Sequence, residues 1–221
     1  MTQPTLEASI TLAGEPAVVL AERALYLPMR KTLLAADLHL GKAATFRAAA
    51  IPLPGGTTSA TLRRLSSAID RTGAERLLIL GDLFHARSGR AASTLAAAAS
   101  WREGYAQLEM VLVRGNHDVH AGDPPADWRI TCVDAPVIEP PYVFQHEPLA
   151  APEGYVVAGH LHPAALLNGR GRQTLKLPCF HLTEKVGTLP AFGEFTGGAV
   201  VRPKRGDRVF VIVEGEVVRS A

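Results

Sequence analysis

Five short apolar runs punctuate this chain, and each one ends in a polar cluster. The run 33–36 leads into Asp37-Leu38-His39, the run 77–80 into Gly81-Asp82, and the run 110–113 into Arg114-Gly115-Asn116-His117-Asp118. Tyr142-Val143-Phe144 leads into Gln145-His146, and Tyr155-Val156-Val157-Ala158 into Gly159-His160-Leu161-His162. Short, unbroken apolar runs bounded by turn residues fit strands buried on both faces. Open α/β sheets bind ligands beyond the carboxyl ends of such strands, and all five clusters fall there.

Elsewhere the period changes. Three or four strands are predicted over 8–36, turned at Gly14-Glu15-Pro16 and Pro28-Met29-Arg30. Leu62, Leu65 and Ile69 recur at helical spacing, so 57–70 reads as a helix, and Gly73 sits where a C-terminal cap belongs. The alanine-rich stretch 91–107 reads as a second helix, with Leu95, Trp101 and Leu108 on one face. A loop is expected over 121–127, then strands at 128–133, 136–139, 142–145, 154–158, 174–177 and 209–213, with a closing hairpin to 218. The early alternation of strand and helix predicts parallel pairing. The helix-poor second half predicts a second, mostly antiparallel sheet. The class is α/β, and residues 1–221 are expected to form one domain.

Composition narrows this picture. A hydrophobic share of 47% with 20% charged residues is that of an ordinary globular chain. No apolar run approaches the ~18 residues of a membrane helix, and the first residues lack the layout of a signal peptide. Cys132 and Cys179 form no CxxC and read as reduced packing thiols. Together these predict a cytoplasmic protein without membrane contact. A net charge of +2 does not by itself mark a nucleic-acid binder, so any DNA contact depends on clustered rather than numerous cations. Arg202, Lys204, Arg205 and Arg208 are one such cluster, although a solvated loop accounts for them equally well.

His160 and His162 point the same way on an extended segment, as metal ligands do. Read singly, each polar residue has an ordinary explanation. The two histidines can be surface residues, Asp82 a helix cap, Asn116 a turn residue and Asp118 a loop acid. Read jointly, those explanations fail, because five strands each deliver a nitrogen or oxygen donor to one edge.

The ordered set Asp-x-His, Gly-Asp, Gly-Asn-His-Asp, His, Gly-His-x-His resembles the signature of the calcineurin-like metallophosphoesterase superfamily. More narrowly, the chain is similar to the bacterial ligase-associated DNA-damage-response endonucleases. That similarity lies in Asp37-Leu38-His39-Leu40-Gly41-Lys42, Phe46-Arg47, Pro52-Leu53-Pro54-Gly55-Gly56-Thr57-Thr58 and the segment 189–198. The resemblance implies a sandwich of two mixed β-sheets flanked by α-helices, and two divalent metal ions: Mn²⁺, with Fe or Zn²⁺ as alternatives for this N/O donor set. It assigns Asp37, His39 and His162 to one metal, Asn116, His146 and His160 to the other, and Asp82 as the bridge. It points His117 at the phosphate, with Asp118 expected to orient its ring, and places Lys42 and Arg47 near substrate. His85, three residues after Asp82 and near the rim, is expected to contact substrate from its position.

His120 and His181 are expected to be structural. The implied activity is internal cleavage of DNA, single-stranded by preference, in DNA repair. A DNA ligase and a helicase are implied as functional neighbours, and a homodimer is left open. A small-molecule phosphoesterase on the same site is the alternative. A non-enzymatic scaffold on this fold fits less well, since every motif position is intact.

Overall fold

In the computed structural model, residues 5–51, 56–168 and 174–220 are described. The Pro52-Leu53-Pro54-Gly55 part of the similarity above lies outside them. Strands β1 (Glu7–Leu12), β2 (Glu15–Leu20), β3 (Leu25–Leu27) and β4 (Thr32–Ala35) form an antiparallel meander. From β4 onward the chain winds in parallel. Helices α1 (Lys42–Ala48) and α2 (Thr57–Thr72) carry it to β5 (Arg76–Leu80), and α3 (Ala92–Gly104) to β6 (Glu109–Val113). The short α4 (Asn116–Ala121) precedes β7 (Thr131–Val133). These seven strands make one sheet in sequence order.

The second sheet has nine strands. They are β8 (Val137–Glu139), β9 (Tyr142–Phe144), β10 (Tyr155–Ala158), β11 (Pro163–Asn168), β12 (Thr174–Leu182), β13 (Val186–Thr188), β14 (Ala199–Val200), β15 (Arg208–Val213) and β16 (Glu216–Arg219). Most pairings are antiparallel, but β10 runs parallel to both β9 and β13, and β11 to β14.

Strand periodicity decides the layering. In β4, β5 and β6, Leu33, Leu77 and Met110 pair in register and pack under α2 and α3 with Leu62, Leu65 and Ile69. Their neighbours Leu34, Leu78 and Val111 face the second sheet, against Tyr142, Phe144, Val157 and Phe180. The first sheet is therefore buried on both sides, which explains the unbroken apolar runs. The order is helices, first sheet, second sheet, and the outer face of the second sheet carries two small apolar clusters.

Several boundaries differ from the sequence expectation. The strand expected at 128–133 begins only at Thr131, because Ala126–Trp128 forms a 3₁₀ turn that buries Trp128. Strand β12 runs to Leu182 rather than 177, and β11 was not expected at all. Its Pro-Ala-Ala-Leu-Leu-Asn sequence has no β-branched residue and favours helix intrinsically, so pairing with β12 makes it a strand. Helices α1 and α4 lie in motif segments for which the sequence predicted no element. The closing hairpin turns at Glu214-Gly215, both at positive φ, as a two-residue turn requires.

Candidate active site

All five motif loops converge at the carboxyl ends of β4, β5, β6, β9 and β10. The backbone holds them together before any side chain does. Asp37 N donates to Gly81 O at 3.1 Å, His39 N to Asp82 O at 2.9 Å, and Gly159 N to His146 O at 3.0 Å. The loops also approach too closely for ordinary side chains. A Cβ on Gly159 would stand 2.5 Å from Asp37 Oδ2, and one on Gly81 2.1 Å from His146 Nδ1. Asp37, His39, Asp82, His160 and His162 all adopt φ between 46° and 69°. Non-glycine residues take this left-handed conformation at a cost. Here the cost aims five donor side chains inward at the points where strands end.

Asp82 sits at the centre, and its two oxygens face different neighbours. Oδ1 accepts from His117 N at 3.0 Å and lies 3.5 Å from His146 Nε2. Oδ2 lies 3.8 Å from both His39 Nε2 and His117 Nε2. On the Oδ1 side, His146 Nε2 is 2.9 Å from Asn116 Oδ1 and 3.0 Å from His160 Nδ1. On the Oδ2 side, His39 Nε2 is 3.4 Å from His162 Nε2, which is 3.2 Å from Asp37 Oδ1. The structure thus brings together all seven residues expected from the sequence as donors.

Backbone carbonyls set the ring orientations. Leu80 O faces His146 Nδ1 at 3.0 Å, Gly197 O faces His162 Nδ1 at 3.1 Å, and His85 O faces His117 Nδ1 at 2.6 Å. Each carbonyl accepts the Nδ1–H and leaves Nε2 as a lone pair turned into the site. Lone pairs then converge on carboxylate and amide oxygens, and Asp37 Oδ1 is buried without a hydrogen-bond donor. Acceptors facing acceptors fit cations. Among the described residues, Asp37/His39/His162 and Asp37/Asp82/His146 are each compact enough to hold one, as is His39/His85/His117.

Electrostatics agree with a cation site. Burial pushes the Asp82 carboxyl upward, with Asp37 adding to the rise and the nearby imidazoles opposing it. Burial pushes His39 down to about 2 and His85 to about 4, with neighbouring cationic groups acting in the same direction. At His162 burial lowers the pKa, but the Asp37 carboxylate and Gly197 carbonyl more than offset it and the net shift is upward. Thiolates are absent from this set: burial raises Cys132 to about 11 and Cys179 to about 12.

The other expected site residues divide. His85 stacks on His117 with ring centroids 5.2 Å apart and meets His39 edge-on at 5.2 Å. Lys42 lies over the Phe46 ring, which in turn stacks on His85. Arg47 is exposed and lines a cavity with Thr57, Thr58 and Ser93 between α1, α2 and α3, with no contact to the donor set among the described residues.

Asp118 does not orient His117, whose ring instead addresses His85 O. The buried Asp118 carboxylate accepts backbone N–H groups from Asp82 at 2.8 Å, Gly115 at 2.9 Å and Leu83 at 3.0 Å. It clamps the loop after β5 to the loop after β6. The readable signal was an acid at the third position of a helix starting after Gly115, where a carboxylate reaches back to the capping N–H. His181 pairs with Asp207 at 2.8 Å, consistent with a structural role, whereas His120 is exposed.

A two-sheet α/β sandwich with paired His/Asp clusters at its strand ends defines a metal-dependent phosphoesterase. The calcineurin-like phosphoesterase family model matches residues 30–194, and the chain belongs to that family, whose members use a binuclear metal site. It is a metal-dependent hydrolase. Among solved structures, Pseudomonas putida nuclease MPE is similar at 44% identity over 97% of this chain and 100% of its own, with a TM-score of 0.86. Yfce, a phosphoesterase from E. coli, is similar at 19% identity over 83% of this chain and 88% of its own, with a TM-score of 0.40. No curated protein matches the chain in sequence. No helix among the described residues is long and apolar enough to cross a membrane.

Proposed function

We propose that this chain is a two-metal phosphodiesterase that cuts single-stranded DNA internally. The observation that carries the metal part is the Asp82 carboxylate, with one oxygen turned to each group of donors. Asp37, His39 and His162 would hold one ion with Asp82, and Asn116, His146 and His160 the other. Mn²⁺, Fe and Zn²⁺ all suit this donor set, and the clade resemblance favours Mn²⁺. Two such ions, when bound, neutralise phosphoryl oxygens and activate a water.

The chain's own residues do the rest. Asp118 fixes the loop that carries Asp82. His85 O holds the His117 ring so that its Nε2 faces the Asp82 side of the site. When protonated there, His117 donates to the phosphate or to the leaving oxygen. The similarity to a nuclease along the whole chain supports a nucleic-acid substrate over a nucleotide monoester.

The test compares a closed circular single strand with a relaxed duplex circle, Mn²⁺ supplied. Linearisation of the single-stranded circle with the duplex spared is expected. An intact circle beside rapid phosphate release from a nucleotide monoester contradicts the proposal and favours a small-molecule phosphoesterase.

A further inference from the structure

Beside His162 lies a cavity of ≈ 220 Å³, bounded by Arg23, Pro163, Lys176, Pro178, Ala191 and Phe195. We propose that it is a nucleobase subsite. It takes the base of the nucleotide flanking the cleaved phosphate, stacked on Phe195, with Arg23 and Lys176 facing that nucleotide's backbone. This rests on the endonuclease reading and adds where the strand sits.

Phe195 is the first reason. Its φ is 55° and it is 53% exposed. A bulky side chain in the left-handed region is strained, and a half-exposed ring forgoes much of the stabilisation that burial brings. Neither feature serves the fold. The segment is not a loose end, because Phe192 N donates to Ala36 O at 2.8 Å, Gly193 N to Asp37 O at 3.0 Å and Ala199 N to His162 O at 3.0 Å. The same segment supplies Gly197 O to the His162 ring, and Phe195 lines the cavity together with His162.

Charge is the second reason. Glu194, also at the cavity, is ion-paired with Arg64. Arg23 donates to Gly193 O at 3.3 Å, and among the described residues neither it nor Lys176 pairs with a carboxylate. An aromatic and proline wall beside two uncompensated cations matches a nucleotide in a strand, with its base on the ring and its phosphates on the cations.

Size is the third reason. The cavity falls below the ~300–1,000 Å³ of sites that enclose a whole small ligand. It admits one base and leaves sugar and phosphates outside. A base reaches it only when unstacked from its neighbours, which costs a single strand less than a duplex. The subsite is thus a structural source of strand preference.

The test measures cleavage of a single-stranded circle and hydrolysis of bis(p-nitrophenyl) phosphate, a diester without a base, by wild type, Phe195→Ala and Phe195→Trp. Phe195→Ala is expected to lose about tenfold more on DNA than on the small ester, through KM, as loss of one stacked base predicts. Phe195→Trp restores DNA cleavage. On an oligonucleotide with one abasic position, wild type cuts poorly beside the gap and Phe195→Ala does not discriminate. Equal losses on both substrates would assign Phe195 to support of His162 and overturn the subsite, as would undiminished DNA cleavage by Phe195→Ala. A wild-type protein that hydrolyses the ester yet cuts no DNA overturns the endonuclease reading itself, and that result is read before any variant is made.

Discussion

Asp82 presents Oδ1 to His146 and Oδ2 to His39, so one substitution should disturb both metal positions. Asp82→Ala is expected to lose metal at both and to abolish hydrolysis, and elemental analysis of the purified variant checks it. His117 makes a different prediction. The family resemblance points it at the phosphate rather than at a metal, so His117→Ala should keep its metal and lose ~10²–10⁴-fold in rate. Metal loss in that variant would move His117 into the ligand set. Asp118 shows where reading single residues fails. A sequence displays an acid beside a histidine, but only the fold shows that three backbone N–H groups, and not the ring, are its partners. Asp118→Asn can satisfy one carboxylate oxygen's donors but turns an NH₂ toward the others. The expected cost is about 1–3 kcal/mol, measured by denaturant unfolding, with weaker metal binding although Asp118 touches no donor side chain.

At the scale of elements, the strands that carry donors were legible because burial on both faces leaves unbroken apolar runs. The polar clusters that hold the donors were legible for the same reason, since each follows such a run, and the family resemblance picked the donors within them. What stayed hidden depends on pairing and capping. Strand β11 has helix-favouring residues and becomes a strand against β12. Helices α1 and α4 are 7 and 6 residues long, too short to display a period. The 3₁₀ turn before β7 is held from outside, since the buried Arg102 of α3 donates to Trp128 O at 2.7 Å and Leu108 O at 3.2 Å, and also to Tyr105 O. Arg102→Met removes the donor to Trp128 O and Leu108 O, while Tyr105 O keeps Leu108 N. It should cost about 2–3 kcal/mol, visible as a lower melting temperature with the donor cluster unaltered.

Across the whole molecule, helices cover one face of the first sheet and the second sheet covers the other, so both sheets end at one rim. That arrangement lets loops from β4, β5 and β6 meet loops from β9 and β10, and the donors of the second sheet complete those of the first. The central claim is that this meeting creates two metal positions bridged by Asp82. Electron paramagnetic resonance of the Mn²⁺-loaded protein tests it most directly, since ions ~3.5–4 Å apart are magnetically coupled through a shared carboxylate. The account predicts two equivalents of Mn²⁺ per chain with a coupled multiline spectrum that Asp82→Ala abolishes. One equivalent, or the six-line spectrum of isolated Mn²⁺ in the wild-type protein, would contradict it.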